Sequence, residues 1–410
     1  MGVISPLGKG VQAFREALRN SYMPVSRIPE KWVELWSPKA SWIAPLPMEW
    51  MEAACLSAVE RKQLDPVAIL AMDASQEAME MAGIPANAPN GGVFFGTGAG
   101  GITSLMRNHI NHLPGARSAF LKEPSARFNP FVVSMVMLNS TSGTLSRKFK
   151  IHGPSRSYAS SCASATVAIG NAYLALKNGE AQWCITGGTE YLMDETGCMY
   201  HGFDVAATLT RIPEAAKCNR PFDRERNGFL FGGGGAGTLV LETQEHAEAR
   251  GANVLAWLDG FSENCDGHSP MAPHPEGRCI RQCVRAALDD AGLTSDDIDV
   301  INAHGTGTTA NDAVEAELIR DLFPSRPVVG TTKALSGHLL GASGAVETIA
   351  SVVALLESAV HAMPNLDDPE IDLNFAKGQV KGGFRHVAKF SFGFGGHNAV
   401  LILSNKDDSP

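Results

Sequence analysis

The chain has 410 residues, 44% hydrophobic and 19% charged, enough to bury a large core and to hold two domains or one large duplicated unit. Its 34 basic residues are outnumbered by 43 acidic ones, net −9, and no basic run is interleaved with aromatics, which excludes broad nucleic-acid binding. No uninterrupted apolar run approaches a membrane span, MGVISP has neither the start of a signal peptide nor the hydroxyl of a myristoylation signal, and the eight cysteines form no CxxC pair, so reduced thiols in a cytoplasmic protein are expected.

In chain order, Val11 to Leu18 has the spacing of a short helix, the Pro- and Trp-rich run from Pro24 to Trp50 reads as irregular, and Ile69 to Met81 reads as a helix. Gly92 to Gly96 is a strand entering a glycine turn. There Gly96, Gly98 and Gly101 match GxGxxG, but no acid stands between Gly101 and Glu123 to hold a ribose, and Leu113-Pro-Gly-Ala-Arg-Ser follows in place of a helix and second strand, so NAD binding is not expected. A helix is expected over 131–149, another beginning near Cys162, and buried strands at Trp183–Gly187 and Thr238–Glu242. The run Gly232 to Gly237 lacks the Lys-Ser/Thr of a phosphate loop. After His246 to Gly251 the pattern restarts: strand 253–260, helix 277–291, strand 298–303, helix 312–322, strand 327–330, helix 341–357, and closing strands 386–392 and 398–403. Short strands alternating with longer helices imply an α/β fold with helices packed on sheets, in two similar halves spanning 1–245 and 246–410.

Small residues surround Cys162 (Ser160, Ser161, Ala163, Ser164, Ala165), and a helical pattern follows. That places the sulfur at a helix N-terminus, where unpaired N–H groups and the helix dipole favour a thiolate and the small neighbours leave room for a substrate. An inert cysteine in a tight small-residue turn is the competing reading. In the second half, His304 follows a buried strand and opens the loop His304-Gly-Thr-Gly-Thr308, at the kind of strand end where reactive groups collect. His338 and Lys333 stand among small residues in TKALSGHLLGASG, and Phe392-Gly-Phe394-Gly-Gly ends a strand in a glycine loop suited to an oxyanion hole. Metal binding competes for Cys and His, but no HxxxH or CxxC pair anchors such a site.

As a set, MGVISPLGKG, SSCASA, ITGGTE, RPFDRERNGFLFGGGGAG, NAHGTGT, TKALSGHLLGASGAVE and FSFGFGGHN resemble the β-ketoacyl-acyl-carrier-protein synthases, the elongating type II condensing enzymes and related polyketide ketosynthases, over nearly the whole chain. The resemblance implies a thiolase-like duplicated five-layer αβαβα fold, a dimer, and decarboxylative condensation of an acyl thioester with malonyl-acyl carrier protein in fatty acid or polyketide synthesis. It assigns Cys162 as the acyl-carrying nucleophile, the N–H groups of Cys162 and Phe394 as the oxyanion hole, and Phe394 as a gate. His304 and His338 become donors to the malonyl thioester carbonyl, Lys333 and Glu347 the pair that orders the histidines, and Thr306 and Thr308 the contacts of the phosphopantetheine arm. Phe392, Met135 and Met137 are implied to line the acyl pocket, the helix bearing Phe131 and both methionines to cross the dimer interface, and Arg61 and Lys62 to dock the acidic carrier. No metal or further cofactor is implied.

This chain departs from the family at three points: no apolar strand precedes MGVISPLG, glycine replaces a common Glu within 232–237 in a run one residue longer, and His397 stands where Thr is common. One rival is a ketosynthase-like chain-length partner that has lost its cysteine, against which Cys162, His304 and His338 are all present, although a heterodimer with such a subunit stays open. The other is a degradative thiolase, whose second cysteine near the C-terminus has no counterpart after Cys283.

Overall fold

Segments of two lengths, two to ten residues for strands and fourteen to seventeen for the long helices, build two sheets with helices on both faces of each. The computed structural model describes residues 1–47, 50, 56–112 and 128–407; Cys55 and the run at 113–118 lie outside them. The first sheet contains β1 (Gly2–Ser5), β2 (Gly8–Lys9), β3 (Gly91–Gly96), β4 (Ser155–Tyr158), β5 (Trp183–Tyr191) and β6 (Gly234–Glu242), in the order β2-β1-β6-β5-β3-β4. The second contains β7 (Ala256–Cys265), β8 (Val300–Asn302), β9 (Val328–Gly330), β10 (His386–Gly393) and β11 (His397–Asn405), in the order β7-β11-β10-β8-β9.

Six helices make the layers: α1 (Pro66–Ala82), α2 (Ser140–Phe149), α3 (Ser164–Lys177), α4 (Arg278–Ala291), α5 (Thr309–Leu322) and α6 (Ser343–Glu357). Between the sheets, Val167 and Ile169 of α3 and Val346, Ile349 and Val353 of α6 share one core with Leu239 of β6 and Leu401 of β11. Outside, α1 and α2 cover the first sheet, and α4 and α5 cover the second. The result is the five-layer αβαβα arrangement that the resemblance implies. Because sheets cover both its sides, α6 is apolar nearly all round: Leu340–Glu357 has a mean hydropathy of 1.4 over 18 residues, 89% of them buried, which marks a core helix although its length would cross a membrane. The outer helix α1 starts where the Asp65 carboxylate accepts the Val67 N–H at 2.9 Å with Pro66 in the first turn, and stops at left-handed Gly83.

One local device occurs twice. Ser161 (φ 52°) and Leu340 (φ 46°) are both left-handed, and each opens a three-residue turn, Ser161–Ala163 and Leu340–Ala342, that runs into a central helix. With the first serine of the helix that follows, the two read SCAS and LGAS, so Gly341 occupies in one the place that Cys162 has in the other.

Three expectations are corrected. The stretch 24–50 is not irregular: it contains the helix Glu30–Trp36 and strands Ser26–Arg27 and Trp42–Ala44, the latter pairing with distant Phe231–Gly232. The helix over 131–149 is two, Val132–Val136 and α2, because Met137 adopts an extended backbone (ψ 137°). The strand at 253–260 is displaced to Ala256–Cys265, paired with β11 to its end through a register shift between Leu258 and Gly260.

Candidate active site

The turn before α3 buries Cys162, which is 3% exposed, and leaves its N–H and that of Phe394 without a backbone acceptor among the described residues. The Phe394 N–H instead points at the Cys162 sulfur. This approach depends on Gly393, where a Cβ would lie 2.6 Å from the Ser160 carbonyl oxygen and 3.3 Å from the Cys162 nitrogen. Burial pushes the Cys162 thiol above its ordinary pKa, and the Ser161 hydroxyl, the Lys333 charge and the Phe394 N–H only partly offset it. Burial thus outweighs the favourable neighbours and pushes the sulfur in the direction opposite to the one expected from the helix terminus alone. Gly393→Ala is expected to displace the Phe394 amide and slow acylation of Cys162 by about 10²-fold, the effect of losing one oxyanion-hole donor. The acylation rate followed by mass spectrometry checks this, and an unchanged rate would remove the Phe394 N–H from the site.

His338 Nε2 lies 3.0 Å from Cys162 Sγ. Its backbone is clamped by the strand that the sequence assigned to a glycine run: the His338 N–H donates to the Leu230 carbonyl at 2.8 Å, and the Gly232 N–H donates to the His338 carbonyl at 3.0 Å. His304 stands beside it, ring centroids 5.6 Å apart and nearly perpendicular, with Phe392 edge-on to His304 at 5.6 Å. Phe229, not anticipated from sequence, packs edge-on against His338 at 5.1 Å. Burial holds both imidazoles well below 6.5, reinforced by the Lys333 and Lys389 charges, so both rings are neutral at pH 7.

Lys333 spends its three protons on the His304 carbonyl (2.7 Å), His304 Nδ1 (3.2 Å) and Glu347 Oε1 (2.5 Å). An ammonium has no lone pair, so Nδ1 must accept, and the His304 ring proton sits on Nε2. The other oxygen of Glu347 is 3.0 Å from Lys389 Nζ, a second buried lysine that the sequence reading missed. Lys389 also donates to Thr166 Oγ1 at 2.7 Å and to Ser391, tying α3, β10 and α6 together. Burial alone would push the Glu347 carboxyl up, but the two lysines hold it below its ordinary value. Burial pushes Lys389 down to about 8 against the pull of Glu347.

The loop after β8 is held from beneath by two carboxylates of α5. Glu315 accepts the His304 and Gly305 N–H groups at 2.6 and 2.8 Å, and Asp312 accepts those of Thr306 and Gly307, both at 3.0 Å. Thr306 and Thr308 meet hydroxyl to hydroxyl at 2.9 Å, with Thr306 buried and Thr308 half-buried. The GxGxxG turn is filled from within: Glu190 accepts the N–H groups of Gly98 (2.7 Å), Ala99 (3.0 Å) and Gly341 (3.1 Å), and Gly96 lies against the α3 backbone, where a Cβ would be 2.4 Å from Ser164. The donors of a phosphate turn are therefore already used.

Cys162, His304, His338, Lys333, Glu347, Phe392 and Phe394 thus converge. Met135 is buried with its sulfur 3.5 Å from Asn129 Nδ2, while Met137 is 56% exposed and faces away from this chain's core. Arg61 and Lys62 are exposed on the helix Ala58–Gln63, and Asn129 also donates to the Lys62 carbonyl at 3.0 Å. Among the described residues, no three His, Cys, Asp or Glu side chains are grouped to hold a metal.

Residues 1–247 match the family described as beta-ketoacyl synthase, N-terminal domain, and residues 255–367 match its C-terminal domain. The 3-oxoacyl-[acyl-carrier-protein] synthase 2 of Synechocystis sp. is 34% identical over 98% of this chain and 96% of its own. The ishigamide ketosynthase/chain length factor superposes with a TM-score of 0.85 at 27% identity, covering 98% of this chain and 97% of that one. A type II PKS ketosynthase in complex with its acyl-carrier protein has the same fold, with a TM-score of 0.86 at 23% identity over 98% and 97% of the two chains. Both halves are matched, and the cysteine, both histidines and the Lys333–Glu347 pair fall within the matched residues: the chain belongs to the β-ketoacyl synthase family.

Proposed function

We propose that the protein is an acyltransferase that condenses an acyl thioester, held on Cys162, with malonyl-acyl carrier protein to give β-ketoacyl-acyl carrier protein and carbon dioxide. The observation that carries this is one buried sulfur, 3.0 Å from one neutral imidazole and backed by a second, with a free amide aimed at it. In acyl transfer, the Sγ–acyl bond forms, the acyl bond to the carrier sulfur breaks, and the thiol proton leaves with the carrier thiol. In condensation, the Nε2–H groups of His304 and His338 donate to the malonyl thioester carbonyl. The bond to the carboxylate breaks, carbon dioxide departs, and its electron pair forms an enolate stabilised by those donors. The enolate carbon attacks the acyl carbonyl, whose oxyanion rests on the Cys162 and Phe394 N–H groups, and collapse expels the Cys162 thiolate. Neutral donors suit this step because they stabilise charge without releasing a proton.

The pantetheine arm comes with the substrate, reaching past Thr306 and Thr308, and the reaction draws on no other cofactor. Arg61 and Lys62 receive the carrier, close to Met135 through the shared Asn129 contacts. Phe128, Phe131, Val133, Met137 and Leu138 form an exposed apolar stretch that supports a second protomer, a copy of this chain or a chain-length subunit, built from the same halves 1–245 and 246–410. The protein works in the cytoplasm, where its carrier resides. Met137→Phe is expected to shift acyl preference to shorter chains across a carrier-thioester series, and an unchanged preference would take Met137 out of the pocket. Acyl- and malonyl-carrier thioesters supplied together should yield one carbon dioxide per β-ketoacyl product; release of neither would overturn the condensation reading.

A further inference from the structure

The two central helices begin with the same residue in the same setting. Ser164 and Ser343 are buried, and each hydroxyl oxygen accepts the N–H four positions back, Ser160 to Ser164 and Leu339 to Ser343, both at 2.9 Å. They differ in where the hydroxyl proton goes. Ser164 donates to the Ser161 carbonyl three residues back, at 2.6 Å. Ser343 makes no such backbone donation among the described residues; its oxygen lies 2.9 Å from His338 Nδ1. The oxygen could accept a second N–H beside that of Leu339, but its own buried hydrogen would then have no acceptor among the described residues; given to Nδ1 it is paired, and a nitrogen that accepts it cannot carry the ring proton.

We propose that Ser343 is a positioning residue whose hydroxyl donates to His338 Nδ1 and so keeps the ring proton on Nε2, facing Cys162 Sγ at 3.0 Å. The role rests on the reading of His338 as a donor to the malonyl thioester. It gives the two histidines the same tautomer by different means: a cation, Lys333, fixes His304, and a neutral hydroxyl fixes His338. A hydroxyl at this place orients the ring without adding charge beside the sulfur. Donation into Nδ1 also polarises the ring, making Nε2–H a stronger donor to a developing oxyanion.

The test is ¹⁵N NMR of histidine-labelled protein without substrate, with the His338 signals identified by their loss in His338→Ala. The expected spectrum has a bare Nδ1 and a protonated Nε2. In Ser343→Ala the proton is expected to redistribute towards Nδ1, and in Ser343→Thr, which keeps the hydroxyl, to return. Ser343→Cys, nearly isosteric with a weak S–H donor, serves the same comparison if the alanine variant folds poorly. In parallel, malonyl decarboxylation should fall about tenfold in Ser343→Ala, the weight of one hydrogen bond, and recover in Ser343→Thr, with acylation of Cys162 changed less than about twofold. A wild-type ring protonated on Nδ1, a tautomer unmoved by removing the hydroxyl, or an equal loss in both half-reactions would overturn the proposal. Because the tautomer is read without substrate, its outcome is separate from that of the condensation reading, which fails only if the wild type releases no carbon dioxide.

Discussion

His304→Ala is expected to lower malonyl decarboxylation by about 10³-fold while Cys162 still takes up an acyl group at close to the wild-type rate. The split follows from position. His338 touches the sulfur, whereas His304 lies one ring further on, and in the proposed condensation its Nε2 proton serves the second substrate. The backbone contacts of residue 304, its N–H to Glu315 and its carbonyl from Lys333, do not need the imidazole, so the loop keeps its shape in the variant. Single-turnover acylation and carbon dioxide release, measured on one preparation, check this. Equal loss of both half-reactions would place His304 in acyl transfer instead.

Glu347→Gln is expected to be the most damaging conservative change to the fold. It leaves Lys333 and Lys389, both buried, with no carboxylate, and breaking such a group by removing one partner costs about 3–5 kcal/mol. The pH dependence has a definite sign. Lys389 in the folded protein sits at about 8 against 10.5 for an unperturbed lysine, and Glu347 is what keeps it from falling further. Without Glu347 the folded value drops while the unfolded value stays, so the unfolded state binds the proton more tightly, and the deficit grows as pH falls below the wild-type folded value. Glu347 itself is ionised throughout this range, because its folded pKa lies below 4.5. Urea denaturation should therefore show a larger loss at pH 6 than at pH 9. A loss independent of pH would mean that Lys389 is uncharged in the wild-type site.

What was legible in the sequence is the chemistry carried by glycine-lined turns. Cys162, His304 and His338 each stand in a run of small residues ahead of a helix, and that local pattern survives folding. The supporting charges were harder to read because burial is a property of the whole fold. Lys389 stands between the apolar residues Ala388 and Phe390 of a strand, a signal that it was buried and paired, but its partners come from residues 166, 347 and 391. Glu315 follows Asn311 by one helical turn on the buried face of α5, and only the β8 loop above it reveals what it holds. The strand Trp42–Ala44 was hidden for the same reason, since its partner lies nearly two hundred residues on at Phe231–Gly232. The break at Met137 carries no Gly or Pro to announce it, so spacing alone ran the two helices together.

The central claim is that Cys162 carries the acyl group, and intact-protein mass spectrometry after mixing with a panel of acyl-carrier thioesters tests it most directly. The wild type should gain the mass of one acyl group, with the heaviest accepted chain bounding the pocket, and Cys162→Ala should gain none. An adduct that persists in Cys162→Ala, or a wild type that accepts no acyl group from any donor, would contradict the account.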